Sequence, residues 1–360
     1  MRQALKLASR GEGHVNPNPL VGALLVKNGE IIGSGWHERY GEPHAERNAF
    51  VSCTASPRDA SLYVNLEPCC HTGKTPPCTD IIIESGVTRV VVGVRDPNPL
   101  VSGKSIELLR AQGIEVIENV LKDECIEINK IFFHYIKTGL PYVILKYAMT
   151  MDGKTASRIG ESKWITDKPS RERVHRERNR CSAVMVGVGT VLADDPLLNC
   201  RIEGGKNPLR IICDSRLRTP LNSKIVMTAN EITTLIATAS EDTEKHKAYQ
   251  DKGCSVQVFS QADNRVDLSA LLESLGKDGI DSVLLEGGGE LNYSALISGI
   301  VNAVQCYIAP KILGGRDSKS PVEGLGLIYP DQSIKLINTK IIQVGPDFLL
   351  ESDVDQCLQG

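Results

Sequence analysis

The sequence predicts an α/β protein built from two domains. A chain of 360 residues is too long for one ordinary hydrophobic core, which favours two domains of about 100 to 200 residues each. Segments typical of strands and helices alternate through the first half, and the alternation begins again after the linker Thr138-Gly139-Leu140-Pro141. We therefore expect one domain over residues 1–140 and a second over residues 141–360.

In the first half, the opening strands Leu20–Val26 and Glu30–Gly35 are joined through Asn28-Gly29, a strong hairpin-turn signal. Further strands are predicted at Ala60–Asn65, Arg89–Val94 and Ile114–Glu118. Helices are predicted at His44–Ser52, Pro77–Gly86, Ser105–Gln112 and Lys122–Lys137. The continuous apolar run Arg89–Val94 is typical of a strand buried on both faces. Together these elements predict a three-layer α/β/α domain.

The second half repeats the alternation of strands and helices. Strands are predicted at Tyr142–Ala148, Ala183–Val188, Leu209–Asp214, Thr234–Ala239, Ser282–Glu286 and Ala303–Ile308. Helices are predicted at Pro169–Arg180, Leu268–Gly276 and Glu290–Ser298. Strands separated by crossover helices indicate a mainly parallel sheet.

Charge and apolar patterning exclude several classes of protein. The net charge is -3 with both signs interspersed, so neither half has the basic character of a nucleic-acid binder. Residues Met1–Gly11 lack the apolar core of a signal peptide, and the longest apolar runs are too short to span a bilayer. The 11 cysteines are irregularly spaced, which argues against a disulfide framework. We expect a cytoplasmic protein that binds neither nucleic acid nor membrane.

The first half carries residues suited to zinc chemistry. His44 and Glu46 lie at a predicted helix start, Cys69 follows a predicted strand, and the next helix begins near Cys78. One imidazole and two thiolates fill three tetrahedral positions of zinc and leave the fourth for a water whose pKa the metal lowers. Glu46 can take the proton of that water and pass it to leaving ammonia. His-x-Glu followed by Pro-Cys is the signature of the zinc nucleobase deaminases.

The second cysteine ligand lies further along the chain than in that signature, and alternatives stay open. Cys70, His71 and a loop through Thr75 separate Cys69 from Cys78. Cys70 is an alternative ligand, although adjacent residues on a tight loop rarely both reach one ion. His71 as a fourth ligand would make the zinc structural. The remaining alternative is a core histidine with ordinary buried cysteines and no metal.

Two glycine turns in the second half favour a dinucleotide site. Leu285-Glu286-Gly287-Gly288-Gly289 follows an apolar strand and opens a helix, and Gly187-Val188-Gly189-Thr190 follows another strand. Glycine lets backbone N–H groups approach a pyrophosphate, and a helix N-terminus adds partial positive charge. The spacing is not that of a Rossmann fingerprint, which would require glycine at Asn292. Flexible turns are the alternative for each segment alone, but two such junctions suggest a dinucleotide at the carboxyl ends of a parallel sheet.

Segments from both halves resemble the bifunctional riboflavin-biosynthesis deaminase–reductase family. In the first half they are Asn16-Pro17-Asn18-Pro19-Leu20-Val21-Gly22, Gly41-Glu42-Pro43-His44-Ala45-Glu46, the run from Glu67 to Cys78, and Asp96-Pro97-Asn98-Pro99. In the second half they are Leu145-Lys146, Met151-Asp152-Gly153-Lys154, Trp164-Ile165-Thr166 and Ala309-Pro310-Lys311. The long loop between the two cysteine ligands separates this family from deaminases with a short Cys-x-x-Cys. One departure is Cys70, where the family is expected to have serine.

The resemblance implies an N-terminal cytidine-deaminase-like three-layer α/β/α domain and a C-terminal dihydrofolate-reductase-like α/β domain. The implied deaminase substrate is 2,5-diamino-6-ribosylamino-4(3H)-pyrimidinone 5′-phosphate, and the residues implied to line its pocket are Asn18, His71, Lys74, Asp96 and Asn98. Amide and carboxylate groups can read the edge of a pyrimidine, and Lys74 can meet a phosphate. The alternative for the Asn and Asp residues is turn formation beside proline. No role is expected for three histidines, predicted to be surface or capped residues: His14, His37 and His134.

For the second domain the resemblance implies an NADPH-dependent reductase. The implied cofactor contacts are Ala148, Trp164, Thr190, Asp194, Ser215, Gly288, Gly289, Glu290, Leu291, Asn292, Tyr293 and Ser294. The implied substrate contacts are Lys146, Ser162, Arg178, Leu198, Arg201 and Glu286. Arg178 and Arg201 suit a ribosyl 5′-phosphate as two-pronged donors, with solvated surface charge as the alternative. Trp164 is alternatively a core aromatic. Lys146 is the best candidate for the proton donor when hydride reduces the opened ribose.

Two other functions compete with this interpretation. A tRNA or free-nucleoside deaminase with an unrelated C-terminal extension is opposed by the long ligand spacing and by the absence of a basic patch. A zinc-stabilised scaffold would have a closed site with four protein ligands. The sequence therefore favours a bifunctional enzyme with zinc and NADPH as cofactors, small phosphorylated pyrimidines as substrates, and a homo-oligomeric state.

Overall fold

The computed structural model describes residues 1–72, 76–262 and 265–355. The chain separates into two compact units, Met1–Gly139 and Leu140–Gly360. Each unit has its own hydrophobic core packed around its own sheet. Both units combine helices with a sheet, mixed in the first unit and mainly parallel in the second, which confirms the predicted α/β fold class.

The first unit is built on a five-stranded sheet. Its strands are β1 (Gly22–Lys27), β2 (Glu30–Trp36), β3 (Ser61–Leu66), β4 (Arg89–Val94) and β5 (Glu115–Ile117). Its helices are α1 (Arg2–Ala8), α2 (Ala45–Val51), α3 (Cys78–Glu84), α4 (Lys104–Ala111), α5 (Lys122–Ile128) and α6 (Lys130–Thr138). The strand order is β2-β1-β3-β4-β5, with β3, β4 and β5 parallel. The carboxyl ends of those three strands therefore share one edge of the sheet.

Glycines in β2 let α2 lie directly on the sheet. A Cβ added to Gly35 would lie 2.4 Å from the Ala49 nitrogen and 2.6 Å from the Ala45 oxygen, both in the backbone of α2. Only a residue without a side chain allows so close an approach of helix to strand. This contact fixes the position of α2, which has His44 as its N-cap and Glu46 in its first turn.

The second unit is built on a nine-stranded sheet and a separate two-stranded ribbon. Its strands are β6 (Tyr142–Thr150), β7 (Ala183–Gly187), β8 (Leu209–Cys213), β9 (Thr234–Thr238), β10 (Ser255–Val258), β11 (Gln261–Ala262), β12 (Arg265–Val266), β13 (Ser282–Leu285), β14 (Ala303–Ala309), β15 (Leu336–Val344) and β16 (Asp347–Val354). Its helices are α7 (Lys168–Arg180), α8 (Val188–Asp194), α9 (Lys224–Met227), α10 (Thr243–Gln250), α11 (Leu268–Lys277) and α12 (Gly289–Ile297).

The order in the large sheet is β10-β9-β8-β7-β13-β6-β14-β16-β15. In this spatial order, the first seven strands, which begin with β10 and end with β14, are parallel to one another. The last two strands, β16 and β15, pair antiparallel, β16 with β14 and β15 with β16. The neighbouring strands β8, β7, β13 and β6 thus end at one edge, where α8 and α12 begin directly after β7 and β13. Both predicted strand–glycine–helix junctions are present.

The predicted strands and helices are present with small shifts at their ends, apart from one helix. The predicted helix Lys122–Lys137 is instead two helices that meet at Asn129. The Asn129 side chain is buried and forms two hydrogen bonds with the backbone of Leu20. Its amide oxygen accepts from the Leu20 N–H at 2.8 Å, and its amide nitrogen donates to the Leu20 carbonyl oxygen at 3.0 Å. A break at this position lets the amide reach a distant loop, and such a contact leaves no mark in the local sequence.

Several elements of the second unit were not predicted, notably the final hairpin of β15 and β16. Most of the residues of β15 are exposed, so the strand lacks the alternation of buried and exposed positions on which strand prediction depends. Among the described residues, none of the helices has the length and the apolar character needed to cross a membrane.

We expect Gly35→Ala to lower the free energy of unfolding by about 1 to 3 kcal/mol, because its methyl group overlaps the backbone of α2. Denaturant unfolding of the whole protein measures this change. Ser34→Ala is the matched control, since Ser34 is the exposed neighbour on the same strand. Equal stability of the Gly35 variant and the wild type would contradict the packing of α2 on β2.

Candidate active sites

Three residues converge at the helix starts of the first unit. His44 is the N-cap of α2, Cys69 lies in the loop after β3, and Cys78 is the first residue of α3. The His44 Nδ1 atom lies 3.5 Å from the Cys69 sulfur and 3.4 Å from the Cys78 sulfur. The Cys78 backbone N–H also donates to the Cys69 sulfur over 3.3 Å, as suits a thiolate.

The geometry of these three atoms suits a zinc ion. Zinc bonds to sulfur at about 2.3 Å and to nitrogen at about 2.0 to 2.1 Å, so a tetrahedral site separates an N and an S ligand by roughly 3.6 Å. The two N–S distances of 3.5 and 3.4 Å are close to that value. Within the described ranges these three residues form the only group with metal-ligand geometry. Three protein ligands leave one tetrahedral position for water.

Glu46 lies beside this group in the first turn of α2 and is 3% exposed. Burial raises the pKa of Glu46 above its ordinary value, and the charge of Cys69 raises it further. The carboxyl group is therefore placed to exchange a proton with a group at the fourth position of the metal site.

The structure separates the alternative ligands from the metal group. The Cys70 sulfur faces the Leu100 oxygen at 4.0 Å, and burial raises the pKa of its thiol. His71 is exposed and lies outside the cluster of three ligand atoms. Lys74 falls within residues 73–75, which lie outside the described part of the chain.

A buried histidine orients Asn18, one of the implied pocket residues. His37 is 2% exposed, so the expectation of a surface or capped residue is wrong. Its Nδ1 atom lies 3.2 Å from the Pro43 carbonyl oxygen, and its Nε2 atom lies 3.1 Å from the Asn18 Nδ2 atom. A carbonyl can only accept, so Nδ1 donates and Nε2 accepts from the Asn18 amide. This arrangement directs the amide nitrogen to His37 and leaves the Asn18 oxygen to face elsewhere.

Glu67, to which the sequence analysis gave no role, organises the loop after β4. Its buried carboxylate accepts from the backbone N–H groups of Asp96 and Gly103 and from the hydroxyl of Ser105 at 2.6 Å. The Asp96 carboxylate accepts in turn from the Asn98 backbone N–H at 2.8 Å. The Asn98 oxygen accepts from the next turn, so both side chains form the turns named as the alternative. Burial raises the pKa of Asp96 to about 6.

The second unit contains a cavity of about 1330 Å³ at the carboxyl ends of its parallel strands. With one exception, every residue implied to contact cofactor or substrate in this unit lines the cavity: Lys146, Ala148, Ser162, Trp164, Arg178, Thr190, Asp194, Leu198, Arg201, Ser215, Glu286, Gly288, Gly289, Glu290, Leu291, Asn292 and Ser294. The exception is Tyr293, whose hydroxyl donates to the Gly326 carbonyl at 3.1 Å.

A buried ionic cluster forms one wall of the cavity. The Arg178 guanidinium holds both oxygens of Glu286, at 2.6 and 3.0 Å, and the Lys146 Nζ atom lies 3.6 Å from the same carboxylate. Although burial alone would raise the pKa of Glu286, the charges of Arg178 and Lys146 bring it to about 2. Burial lowers the pKa of Lys146. The alternative of solvated surface charge is wrong for Arg178, whose side chain is 11% exposed and paired with Glu286.

The glycine triplet after β13 contains one glycine that packing alone does not require. A Cβ on Gly287 would lie 2.7 Å from the Asn292 side chain, and one on Gly289 would lie 2.4 Å from Glu323. A Cβ on Gly288 would meet only the Thr190 hydroxyl, at an ordinary 3.5 Å. Gly288 is the N-cap of α12, so the unpaired N–H groups of that helix start lie beside an open backbone surface. This arrangement fits the pyrophosphate of a dinucleotide.

Trp164 is 60% exposed at the cavity, so the alternative of a core aromatic is wrong. The Arg171 guanidinium carbon lies 4.5 Å from the centre of its ring. This cation–π contact holds an aromatic face at the rim of the site.

Fold and sites together define a class of protein: an enzyme in which a zinc-dependent deaminase domain precedes a reductase domain. The family model described as cytidine and deoxycytidylate deaminase zinc-binding region matches residues 1–94. The model described as RibD C-terminal domain matches residues 141–350, which excludes the alternative of an unrelated C-terminal extension.

Similar proteins match over almost the whole chain. The riboflavin biosynthesis protein RibD of Actinobacillus pleuropneumoniae is 53% identical over 351 residues, which cover 98% of this chain and 93% of that protein. A crystal structure of a diaminohydroxyphosphoribosylaminopyrimidine deaminase/5-amino-6-(5-phosphoribosylamino)uracil reductase from Thermotoga maritima is 40% identical, has a TM-score of 0.85 and covers 99% of this chain and 97% of its own. Acinetobacter baumannii RibD is 35% identical, with a TM-score of 0.87 and coverage of 98% and 97%.

The chain belongs to the RibD family of riboflavin biosynthesis proteins. It therefore combines deaminase and reductase activities, with zinc and NADPH as their cofactors. The first unit is cytidine-deaminase-like, and the second is the reductase domain of the family.

Proposed function

We propose that the chain deaminates 2,5-diamino-6-ribosylamino-4(3H)-pyrimidinone 5′-phosphate by hydrolysis and then reduces the ribosyl group of 5-amino-6-(5-phosphoribosylamino)uracil to ribityl. The first unit carries the deaminase site and the second carries the reductase site. The observation that supports this proposal most strongly is the placement of the buried Glu46 beside the three-ligand group of His44, Cys69 and Cys78. Such a site can activate water, whereas a scaffold would need a closed site.

In the deaminase site, His44, Cys69 and Cys78 would hold the zinc ion, which supplies an activated water when bound. Glu46 takes a proton from the attacking water and delivers it to the amino group that leaves as ammonia. Its burial within α2 keeps the carboxyl group in one place through both transfers. The carbon that loses the amino group gains the oxygen of water, so the reaction needs no redox partner.

The pyrimidine is held by residues around that centre. Asn18 presents its amide oxygen to the ring, because His37 already occupies its amide nitrogen. Asp96 and Asn98 lie on the loop that Glu67 anchors, where they can meet the substrate with side-chain atoms not used in their turns. His71 is exposed in the loop after β3, and together with Lys74 it would contact the ribosyl phosphate.

In the reductase site, NADPH supplies the hydride that adds to C1′ of the opened ribosyl chain. The run from Gly288 to Ser294, apart from Tyr293, would hold the dinucleotide, and Ala148, Trp164, Thr190, Asp194 and Ser215 would supply the remaining contacts. Glu286 and Lys146 lie within reach of the substrate, and Lys146 delivers the proton that completes the reduction. Burial lowers the pKa of Lys146 and so eases release of that proton.

The substrate phosphate would be held beside this same ionic cluster. Arg178 is engaged by Glu286, which leaves Arg201 as the cationic side chain available for the 5′-phosphate at that cluster. Ser162 and Leu198 complete the substrate contacts.

The cellular setting and the assembly are also part of the proposal. The cysteines in the described part of the chain form no disulfide bonds, which supports a reducing compartment such as the cytoplasm. The edge strand β15 exposes Leu336, Ile337 and Ile341. An apolar edge strand of this kind needs a cover, which supports a homo-oligomer.

Cys78→Ser should abolish both zinc binding and deamination, because it removes one of three ligands. Hydride transfer to pre-deaminated substrate should persist. Metal analysis of the purified protein measures the zinc content. Cys70→Ser is the matched control and should keep the metal. Stoichiometric zinc in the Cys78 variant, or its loss in the Cys70 variant, would be incompatible with this ligand set.

Glu46→Gln should keep zinc near the wild-type content, because it changes no ligand. It removes a general acid–base group, which typically contributes about 10² to 10⁴ in rate, and a group used for two transfers should lie at the upper end. Steady-state deamination rates measure the loss. A rate within about tenfold of wild type, below the bottom of that range, would exclude the proton-transfer role.

Gly288→Leu should weaken NADPH binding, because the side chain would occupy the surface that the pyrophosphate needs, while its Cβ meets only the Thr190 hydroxyl at an ordinary 3.5 Å. Unfolding should therefore be almost unchanged, and deamination should be unaffected. Titration of NADPH into the full-length protein measures the dissociation constant. Normal binding by this variant would show that the pyrophosphate lies elsewhere.

A further inference from the structure

The carboxylates that line the reductase cavity already have partners. Asp194 accepts from the Ser162 hydroxyl at 2.9 Å. The other lining carboxylates each face a cation, in the pairs Asp195–Lys224, Glu286–Arg178, Glu290–Arg265 and Glu323–Lys319. Asp194 is therefore the one lining carboxylate that has no cation as its partner among the described residues.

Four cationic side chains on the same surface have no ion pair or side-chain hydrogen bond to another described residue: Lys163, Arg201, Arg216 and Arg218. Four unpaired cations thus face one unmatched lining acid, so an anionic ligand in this cavity would find cationic partners. The proposed reductase function provides two phosphate monoesters, the 5′-phosphate of the substrate and the 2′-phosphate of NADPH.

The fold places these cations at different ends of the cavity. Arg201 follows a segment held to α7, because the Arg178 guanidinium donates to the Asn199 carbonyl at 3.1 Å. It therefore lies toward the Glu286 cluster. Arg216 and Arg218 follow β8, which is separated from β13 by β7 alone. Strand spacing puts the end of β8 about 10 Å from the glycine triplet after β13, on the side away from β6.

The loop that carries Arg216 and Arg218 is fixed before any ligand binds. The buried Asp214 carboxylate accepts from the backbone N–H groups of Arg218 at 2.6 Å and of Thr219 at 2.7 Å. Leu217, between the two arginines, is buried although its φ of 53° is rare for a residue with a side chain. Burying Leu217 leaves the arginines on either side exposed. A held, sparsely populated backbone conformation of this kind is typical of ligand sites.

We propose that Arg216 and Arg218 bind the 2′-phosphate of NADPH and make the enzyme prefer it to NADH. The inference rests on the proposed reductase function and names the residues of its cofactor specificity. A guanidinium fork matches the oxygens of a phosphate monoester, and NADH offers only a hydroxyl at that position. Ser215, which directly precedes Arg216, lines the cavity and accepts a hydrogen bond from the Val266 backbone N–H at 3.1 Å. This bond fixes the start of the loop that carries the two arginines.

The test is titration of NADPH and NADH, separately, into full-length wild type and Arg216→Ala/Arg218→Ala. Each lost charged hydrogen-bonding partner should weaken NADPH binding about tenfold to a hundredfold, while the NADH dissociation constant stays within about twofold. Unchanged NADH binding also shows that the cavity is intact. Arg201→Ala and Lys163→Ala are matched controls, because each removes one unpaired cation from the same cavity and should keep the preference for NADPH.

Three results would overturn the inference. The double variant could keep the wild-type ratio of NADPH to NADH affinity, one of the controls could lose that ratio in its place, or wild type could bind both dinucleotides equally. Wild type that binds neither dinucleotide would instead contradict the proposed reductase function.

Discussion

In each unit, the functional groups lie where a parallel strand ends and a helix begins. Parallel strands bring their carboxyl ends to one edge of a sheet, and the next helix starts there with unpaired N–H groups and a partial positive charge. In the first unit this edge holds Cys69 after β3 and the starts of α2 and α3. In the second it holds the glycine triplet after β13 and Ser215 after β8. Thiolates and phosphates are both anionic, so the same backbone arrangement suits either.

The two sites handle charge in different ways. Around the metal group, the deaminase site combines the amide of Asn18 and the imidazole of His37 with the carboxyl groups of Glu46 and Asp96, whose pKa values burial raises. The reductase cavity is lined by many charges, and its acids are almost all matched by cations. A cavity with spare cations is suited to two phosphorylated ligands at once, a dinucleotide and a ribosyl phosphate.

The sequence was sufficient to predict residues of the few types that bind zinc, when they occur in the order along the chain that a known motif requires. His44, Cys69 and Cys78 could be chosen because few residue types bind zinc, and the structure places their ligand atoms together. The roles of His37 and Glu67 could not be predicted, because they arise from contacts with Asn18 and with the loop at Gly103. The partner of Arg178 is 108 residues away in the chain, and pairing turns an expected phosphate donor into a support for Glu286.

The most direct measurement is mass analysis of the products after the whole protein is incubated with the diaminopyrimidine ribosyl phosphate. Without NADPH, the product should be the uracil that results from replacement of one amino group by oxygen. With NADPH, the same molecule should gain two further hydrogens, and removal of zinc should stop both changes from this starting compound. Unchanged substrate in the presence of zinc and NADPH, or reduction without prior deamination as the main route, would contradict the assignment of the two units.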